Sequence, residues 1–117
     1  MVKCIVTGSF LYHYEEIHRI ADKFTRHGIN VITPRRHRTP EQYKQRGAVR
    51  RRADFVYIVN PGGAVCSFSK YLIGYADAFG KDVYLSHPTN DRMLKEYVKA
   101  VLSPDELIAL LSHEEFH

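Results

Sequence analysis

The stretch that most constrains this chain covers residues 53–86 and has the pattern of a strand, a glycine-bearing loop, a helix and a second strand. Residues 55–59 (FVYIV) are continuously apolar, as a strand buried on both faces requires. The sequence NPGG at 60–63 ends that strand, because proline cannot serve a central ladder and glycine lets the backbone turn sharply. A helical pattern starts near Ser67 or Ser69, and strand character returns at 82–85. This βαβ unit predicts a parallel sheet with a ligand site at the carboxyl ends of its strands.

The rest of the chain repeats this alternation. We predict further strands at 3–7, 30–33 and 100–102 and further helices at 12–27, 39–52, 91–98 and 103–112. The side chains expected to face the core are Leu72, Ile73, Ala76 and Phe79 in the central helix, and Met93, Leu94, Tyr97 and Val98 in the helix after it. The pattern predicts one α/β domain over residues 1–117, with a parallel sheet of four or five strands and helices on both faces.

Composition agrees with a single soluble domain. The chain has 117 residues, of which 44% are hydrophobic and 26% charged. It has no apolar run near 18 residues and no secretory pattern at its start, so we expect a cytoplasmic protein without a membrane partner. Cys4 and Cys66 cannot form a disulfide framework and are expected to be reduced thiols. The histidines show no metal spacing with a third ligand, so neither a metal nor a cofactor is predicted.

The formal net charge of +4 is concentrated in a basic patch between residues 35 and 52. The arginines of this patch are Arg35, Arg36, Arg38, Arg46, Arg50, Arg51 and Arg52. Such a patch suits nucleic acid, a phosphate on a small ligand, or simply a solvated surface. Aromatic residues are not interleaved with the arginines and no nucleic-acid-binding signature is present, so nucleic-acid binding is the weakest alternative.

The segments ADFVYIVNPGG and IGYADAFGKDVYL together resemble the nucleoside 2-deoxyribosyltransferase-like superfamily, a group that includes deoxynucleoside-monophosphate and CMP N-glycosidases. The resemblance covers most of the chain, and its specific part is about thirty residues. It implies a flavodoxin-like three-layer sandwich with a pocket between two glycine-rich loops. It also implies a homo-oligomer whose subunits complete each other's sites.

The same resemblance implies cleavage or transfer at an N-glycosidic bond by a glutamate nucleophile. The position expected for that glutamate is Leu72, and the position expected for a second acidic group is Arg46. Leucine cannot attack an anomeric carbon, and no acidic residue lies between Val56 and Tyr75 to replace it. A carboxylate from elsewhere remains an alternative, from Glu15, Glu16 or Asp91.

The candidate ligand-binding residues follow the first and third strands. They are Gly8, Ser9, Phe10, Asn60, Gly62, Gly63, Ser67 and Ser69, with Arg46 as a cationic rim. Each also has a plain structural interpretation: Ser67 or Ser69 can be the cap of the helix, Phe10 can be a packed side chain, and the glycines can only form turns. A catalytic thiolate at Cys66 is the weakest of these site hypotheses, because no base can be identified for it.

Our leading functional hypothesis is a nucleotide-binding or phosphorylated-ribosyl-binding protein that has lost the glutamate nucleophile. The first alternative is an active nucleoside or nucleotide N-glycosidase, or a deoxyribosyltransferase, that uses a relocated carboxylate. The weaker alternative is a nucleic-acid-associated protein that uses the basic patch.

Overall fold

Five parallel strands form the sheet in the computed structural model, which describes residues 2–32 and 51–115. The strands are β1 (Lys3–Gly8), β2 (Asn30–Ile32), β3 (Phe55–Val59), β4 (Asp82–Leu85) and β5 (Ala100–Val101). Their order across the sheet is β2-β1-β3-β4-β5, and every neighbouring pair is parallel. This is the flavodoxin-like order, so the expected α/β class and strand number are confirmed.

Helices cover both faces of the sheet. They are α1 (Tyr14–Arg26), α2 (Ser67–Ala78), α3 (Arg92–Lys95) and α4 (Pro104–Glu115). Helices α1 and α4 contribute to one apolar cluster, through Phe24 and Leu107 among others. Helices α2 and α3 contribute to a second cluster, through Ile73 and Leu94 among others. The sheet and the helices on its two faces make a three-layer sandwich, with an α1/α4 side and an α2/α3 side.

Strand β3 is apolar throughout because it lies at the centre of the sheet and contacts both clusters. Phe55, Tyr57 and Val59 face the α1/α4 side, whereas Val56 and Ile58 face the α2/α3 side. The fully buried Tyr57 is tolerated there because its hydroxyl donates a hydrogen bond to the Leu102 carbonyl oxygen at 2.8 Å. Burial raises the pKa of Tyr57, so the phenol keeps its proton in the fold.

The observed bounds of several elements differ from the predicted ones. Helix α1 begins at Tyr14 rather than at residue 12, and α3 is only the turn Arg92–Lys95 within the predicted 91–98. Strand β2 is described over Asn30–Ile32, and residue 33 of the predicted strand lies outside the described residues, as does most of the predicted helix at 39–52. The last helix runs beyond the predicted end at residue 112, to Glu115.

Some predicted core positions were wrong. Phe79 is 55% exposed because α2 ends at Ala78 and Phe79 is its C-cap. Met93 is 71% exposed and Tyr97 is 43% exposed, because a single helical turn can bury only one side chain, which is Leu94. A periodic pattern identifies a buried face only as far as the helix itself extends.

Hydrogen bonds stabilise the starts of β1, β3 and α4. Asp54 accepts a hydrogen bond from the Lys3 backbone N–H at 2.8 Å and joins the starts of β1 and β3. Ser103 and Glu106 form the reciprocal capping box of α4, at 3.1 and 2.9 Å. The hydrogen bonds from Ser103 lower the pKa of the Glu106 carboxyl group.

Within the described ranges, no helix combines the length and apolar character that crossing a membrane demands.

Candidate functional site

The strand order creates a topological switch point between β1 and β3. The chain leaves β1 toward α1 on one side of the sheet and leaves β3 toward α2 on the other side. Gly8 pairs with Val59 in the β1–β3 ladder, so Ser9 and Asn60 are the first residues beyond a common edge. In open α/β sheets, ligands bind in the crevice that this divergence leaves at the carboxyl edge. The structure therefore brings the two loops that carry the predicted site residues to one place.

Glycine is needed at position 8 because the packing leaves no room for a side chain, not because the chain turns there. A Cβ atom at this position would lie 2.5 Å from the carbonyl oxygen of Val59 and 3.1 Å from Cδ1 of Ile17. The neighbouring strand and α1 leave no room for a side chain there. The role predicted for Gly8 in ligand binding stays a prediction.

The next two residues make local contacts in the β1–α1 loop, residues 9–13. The Ser9 carbonyl oxygen accepts a hydrogen bond from the His13 N–H at 2.7 Å, and Ser9 Oγ accepts one from the Tyr12 N–H at 3.3 Å. Phe10 is partly buried on the α1/α4 side, in edge contacts with Tyr14 and His18. Phe10 is therefore a packed side chain, in agreement with its plain structural interpretation. Stacking of Phe10 on a nucleobase stays a prediction.

Residues 60–63 form a tight turn after β3. The Gly63 N–H donates to the Asn60 carbonyl oxygen at 2.9 Å, Pro61 occupies the second position, and Gly62 has φ of 80°. This is the sequence and backbone signature of a type II turn, which needs a left-handed residue at its third position. Gly63 also has a positive φ, of 90°, and a Cβ there would lie 2.6 Å from the Pro88 carbonyl oxygen. The turn is thus packed closely against the β4–α3 loop, residues 86–91.

Alanine at the two glycines should separate backbone strain from packing. Gly62→Ala places Cβ in open space, so only the left-handed conformation is penalised, by about 1–2 kcal/mol. Gly63→Ala adds the collision with Pro88, so its loss of unfolding free energy should exceed that of Gly62→Ala by about 1–3 kcal/mol. Urea unfolding followed by circular dichroism suits a chain without tryptophan, and equal losses for the two variants would contradict this packing.

Asn60 is a buried clamp between these loops. It is 1% exposed, and its Nδ2 donates to the His87 carbonyl oxygen at 2.8 Å. Its Oδ1 accepts from the His87 N–H at 3.0 Å and from Ser86 Oγ at 3.2 Å. The Asn60 backbone N–H donates to Ser86 Oγ at 2.9 Å. The Asn60 amide therefore holds the β4–α3 loop against the end of β3. Any ligand contact from Asn60 stays a prediction.

Sequence reasoning missed Ser86 and His87. They directly follow β4, the neighbour of β3, and so reach the same carboxyl edge. Ser86 Oγ lies 2.8 Å from His87 Nδ1, which orients the exposed imidazole ring. Their place immediately after a buried strand was the signal that could have identified them.

The β1 strand carries another polar group that the sequence reasoning passed over. Thr7 is fully buried, and its Oγ1 has no hydrogen-bond partner among the described residues. Thr7 lies two residues after Ile5, which faces the α2/α3 side, so the two side chains project to the same face of the sheet. A hydroxyl donor and acceptor thus lies next to the switch point.

The N-terminus of α2 lacks a side-chain cap. The N-cap residue is Cys66, which makes no capping hydrogen bond, so the alternative interpretation of Ser67 or Ser69 as the cap was wrong. Ser67 is exposed in the first turn, whereas Ser69 is fully buried with its Oγ 3.2 Å from Cys66 Sγ. No acidic side chain lies in the first turn of α2, in contrast to α1 and α4. The positive end of the α2 dipole is therefore not neutralised by its own first turn.

Leu72 is fully buried in the apolar cluster of the α2/α3 side. The side chain at the expected nucleophile position thus packs between α2 and the sheet. The second expected acidic position, Arg46, lies outside the described residues, as does the basic patch as far as Arg50. Arg51 and Arg52 are exposed.

The alternative carboxylates lie in different surroundings. Asp91 caps α3, where its Oδ1 accepts from the N–H groups of Met93 and Leu94 at 3.0 and 3.2 Å. Glu16 lies 3.6 Å from Arg19 in a surface ion pair. Glu15 and Glu16 both line an open depression of about 540 Å³ beside the β1–α1 loop. Of the three carboxylates, Glu15 and Glu16 are the two that border this depression.

The other groups that could carry chemistry are the Cys4 thiol and clusters of metal-ligating side chains. Burial raises the pKa of the Cys4 thiol to about 12, so Cys4 is protonated and unreactive at neutral pH. Among residues 2–32 and 51–115, no three histidine, cysteine, aspartate or glutamate side chains form a group suited to a metal ion.

Comparison with known proteins gives a likeness at the level of structure. The solved structure of the Clostridium botulinum CMP N-glycosidase BcmB is similar to this chain, with a TM-score of 0.56 and 18% sequence identity. The match covers 94% of this chain and 98% of that one. No family model matches the sequence, and no curated protein sequence matches it. At this identity the likeness establishes a shared fold over nearly the whole chain.

Proposed function

We propose that this chain binds a nucleotide, or a related phosphorylated ribosyl ligand, at the carboxyl ends of β1 and β3 without cleaving its N-glycosidic bond. The observation that carries the proposal is a convergence at the switch point of the sheet. There the β1–α1 loop and the 60–63 turn meet, and α2 begins shortly after that turn. The shared fold with a CMP N-glycosidase supports a nucleotide as the ligand class.

The α2 N-terminus suits the phosphate of such a ligand. The first-turn N–H groups of a helix point outward and the helix dipole favours an anion there. In α2 neither a capping side chain nor a first-turn carboxylate competes for that position. The exposed Ser67 hydroxyl adds a hydrogen-bond donor beside these backbone groups. The Asn60 clamp supports the arrangement, because it holds the β4–α3 loop against the end of β3, where the 60–63 turn begins.

The position of Leu72 argues against the family's reaction. A double displacement needs a carboxylate that reaches the anomeric carbon. Leu72 offers no such group and is fully buried against the sheet. Loss of a nucleophile of this kind costs on the order of a thousandfold or more in rate.

One observation favours a second candidate function, an N-glycosidase with a relocated acid. Glu15 and Glu16 border the open depression beside the β1–α1 loop. If either carboxylate performs the chemistry, purified protein should release free base from a nucleoside monophosphate, and Glu15→Gln or Glu16→Gln should abolish that release. Base release detected by chromatography therefore distinguishes this candidate from binding alone.

Binding can be tested with a panel of ligands and one charge variant. Nucleoside monophosphates and ribose 5-phosphate should raise the melting temperature, and the matching nucleosides without phosphate should raise it less. Ser67→Asp places a negative charge in the first turn of α2, where it suits the helix dipole but repels a phosphate. We expect this variant to fold normally and to bind at least about tenfold more weakly.

The matched control is Ser112→Asp, which makes the same change at an exposed position of α4 and should leave binding unchanged. If no phosphorylated ligand shifts the melting temperature, or if Ser67→Asp binds as tightly as the wild type, the proposed site is wrong.

A further inference from the structure

The Asn60 clamp also determines which nitrogen of the His87 ring carries a proton, beginning with the orientation of the Asn60 amide. Its Nδ2 donates to the His87 carbonyl oxygen at 2.8 Å, and its Oδ1 accepts from the His87 N–H at 3.0 Å. Rotating the amide by half a turn would place its NH2 group against the His87 N–H and its oxygen against the His87 carbonyl oxygen, so both hydrogen bonds would be lost. The backbone of His87 therefore fixes the position of Asn60 Oδ1.

The direction of the Ser86 hydroxyl proton follows from that orientation. Ser86 Oγ lies 3.2 Å from Asn60 Oδ1, and an amide oxygen can only accept hydrogen bonds. Two oxygen atoms this close need a proton between them, so the Ser86 hydroxyl donates to Asn60 Oδ1. Ser86 Oγ also accepts a hydrogen bond from the Asn60 backbone N–H at 2.9 Å. The single proton of the Ser86 hydroxyl is thus already used.

The His87 ring must then supply the proton for its own contact with Ser86. His87 Nδ1 lies 2.8 Å from Ser86 Oγ. Because the Ser86 proton points to Asn60, His87 Nδ1 is the donor in this hydrogen bond. In a neutral imidazole the other nitrogen, Nε2, then carries a lone pair and no proton. The His87 ring is therefore held in one tautomer, with Nε2 as a hydrogen-bond acceptor.

His87 lies beside the proposed ligand site. It follows β4, the neighbour of the strand that ends in the 60–63 turn, and its ring is exposed. Its backbone is bonded to Asn60, the first residue after β3. Pro88 favours an extended backbone at His87, and the contact with Ser86 restricts the ring. A ligand that contacts Nε2 meets a ring that is already oriented, so little side-chain entropy is lost on binding.

We propose that His87 Nε2 accepts a hydrogen bond from a ribose hydroxyl group of the bound ligand. This inference rests on the proposed function, which places a nucleotide or phosphorylated ribosyl ligand at the same edge of the sheet. A ribose hydroxyl is a donor and matches the lone pair of Nε2. An ionised phosphate offers only acceptors, and the N–H groups at the start of α2 are the donors that suit it. His87 thereby selects a ribosyl ligand over a counterpart that lacks the contacting hydroxyl.

The tautomer can be measured in the free protein. An NMR spectrum that correlates the ring nitrogens of histidine with its carbon-bound ring protons distinguishes a protonated nitrogen from an unprotonated one. The spectrum is recorded at about pH 8, where an ordinary histidine is neutral. The spectrum of His87→Asn identifies the His87 signals among the seven histidines. We expect a protonated Nδ1 and an unprotonated Nε2, and the opposite tautomer overturns the proposal, whether or not the protein binds nucleotides.

Two substitutions separate the roles of the two ring nitrogens. In His87→Asn the side-chain amide can still donate to Ser86 Oγ, but nothing replaces Nε2. In His87→Gln the longer side chain brings an amide oxygen, which is an acceptor, toward the position of Nε2. The backbone contacts of His87 with Asn60 remain in both variants, so both should fold as the wild type does.

Calorimetric titration at the same pH then compares CMP with its 2′-deoxy and 3′-deoxy counterparts. The wild type should bind one of the two deoxy nucleotides about fivefold more weakly than CMP, as expected for the loss of one hydrogen bond. This preference should disappear in His87→Asn, because the acceptor is gone. It should be larger in His87→Gln than in His87→Asn.

The other outcomes of the titration each contradict a definite part of the account. Equal affinity of the wild type for all three nucleotides overturns the proposal for His87 alone, as does a preference that stays unchanged in His87→Asn. An equal loss of affinity for all three nucleotides in His87→Asn, with the preference kept, places His87 on the phosphate or the base and also overturns it. If the wild type binds none of the three, the proposed function fails and this inference falls with it.

Discussion

Leu72→Glu should lower the free energy of unfolding by about 3–5 kcal/mol and should not restore N-glycosidic cleavage. The side chain at position 72 is fully buried among apolar groups of α2 and the sheet. A carboxylate there loses its hydration and gains no partner, so its pKa must rise well above the ordinary value for glutamate. Because total stability is only about 5–15 kcal/mol, this loss should be visible in thermal and urea unfolding.

The pH dependence of Leu72→Glu gives a further check with a definite sign. The folded variant would hold a proton that the unfolded chain releases above a pH of about 4.3. The folded state then binds more protons than the unfolded state, so the variant should become less stable as the pH rises through 5 to 7. At pH 4 the unfolded chain also holds much of this proton, so most of the stability that the variant loses at neutral pH through ionisation should be regained.

Two controls isolate the buried charge. Leu72→Met keeps the volume and should cost less than about 1.5 kcal/mol. Ala109→Glu introduces the same side chain at an exposed position of α4 and should be almost neutral. A large gain of base release in Leu72→Glu would show instead that position 72 reaches the ligand and that only the nucleophile was missing.

Asn60→Ala should destabilise the protein by about 2–3 kcal/mol and weaken ligand binding about tenfold. The substitution removes the acceptor of the His87 N–H and of the Ser86 hydroxyl, and the donor to the His87 carbonyl oxygen. These bonds hold the β4–α3 loop against the end of β3, so their loss should also free the loops that surround the proposed site. Calorimetric titration with a nucleotide measures the affinity, and urea unfolding measures the stability.

The control for Asn60→Ala is Asn90→Ala, at an exposed position in the same β4–α3 loop. This change should alter neither stability nor affinity beyond about 0.5 kcal/mol. If Asn60→Ala loses stability but binds the ligand with unchanged affinity, the clamp supports the fold alone and the site does not depend on the loops it holds.

The sheet was the most predictable part of the molecule. Residues 55–59 read as a doubly buried strand because every side chain there is apolar, and β3 is that strand at the centre of the sheet. The glycines of the NPGG segment marked the end of β3 correctly, and Gly62 there has a positive φ. These are local requirements on the backbone, which a sequence expresses directly.

The details of the site were less predictable because they depend on neighbours in space. Gly8 looked like a turn residue, but the carbonyl of Val59 on the adjacent strand is what excludes a side chain. Asn60 was predicted as a ligand contact, and nothing in the sequence indicated that its amide is bonded to Ser86 and His87, 26 and 27 residues later. No local pattern indicates such long-range partners.

The helix N-terminus gave a different lesson. Ser67 and Ser69 have the residue type that usually caps a helix, yet the helix begins so that Cys66 occupies the cap. A shift of one residue changes the role of each side chain in the first turn. Helix boundaries are set by packing of Leu72, Ile73 and Ala76 on the sheet, and residue preference at the cap yields to that packing.

The central claim is that the carboxyl ends of β1 and β3 bind a nucleotide without cleaving its N-glycosidic bond. Equilibrium dialysis tests this claim most directly. The protein is dialysed against a nucleoside monophosphate such as CMP, and both compartments are then analysed by chromatography. The account predicts an excess of intact nucleotide on the protein side and no free base in either compartment. An absence of excess nucleotide, or free base that accumulates in proportion to the protein, would contradict it.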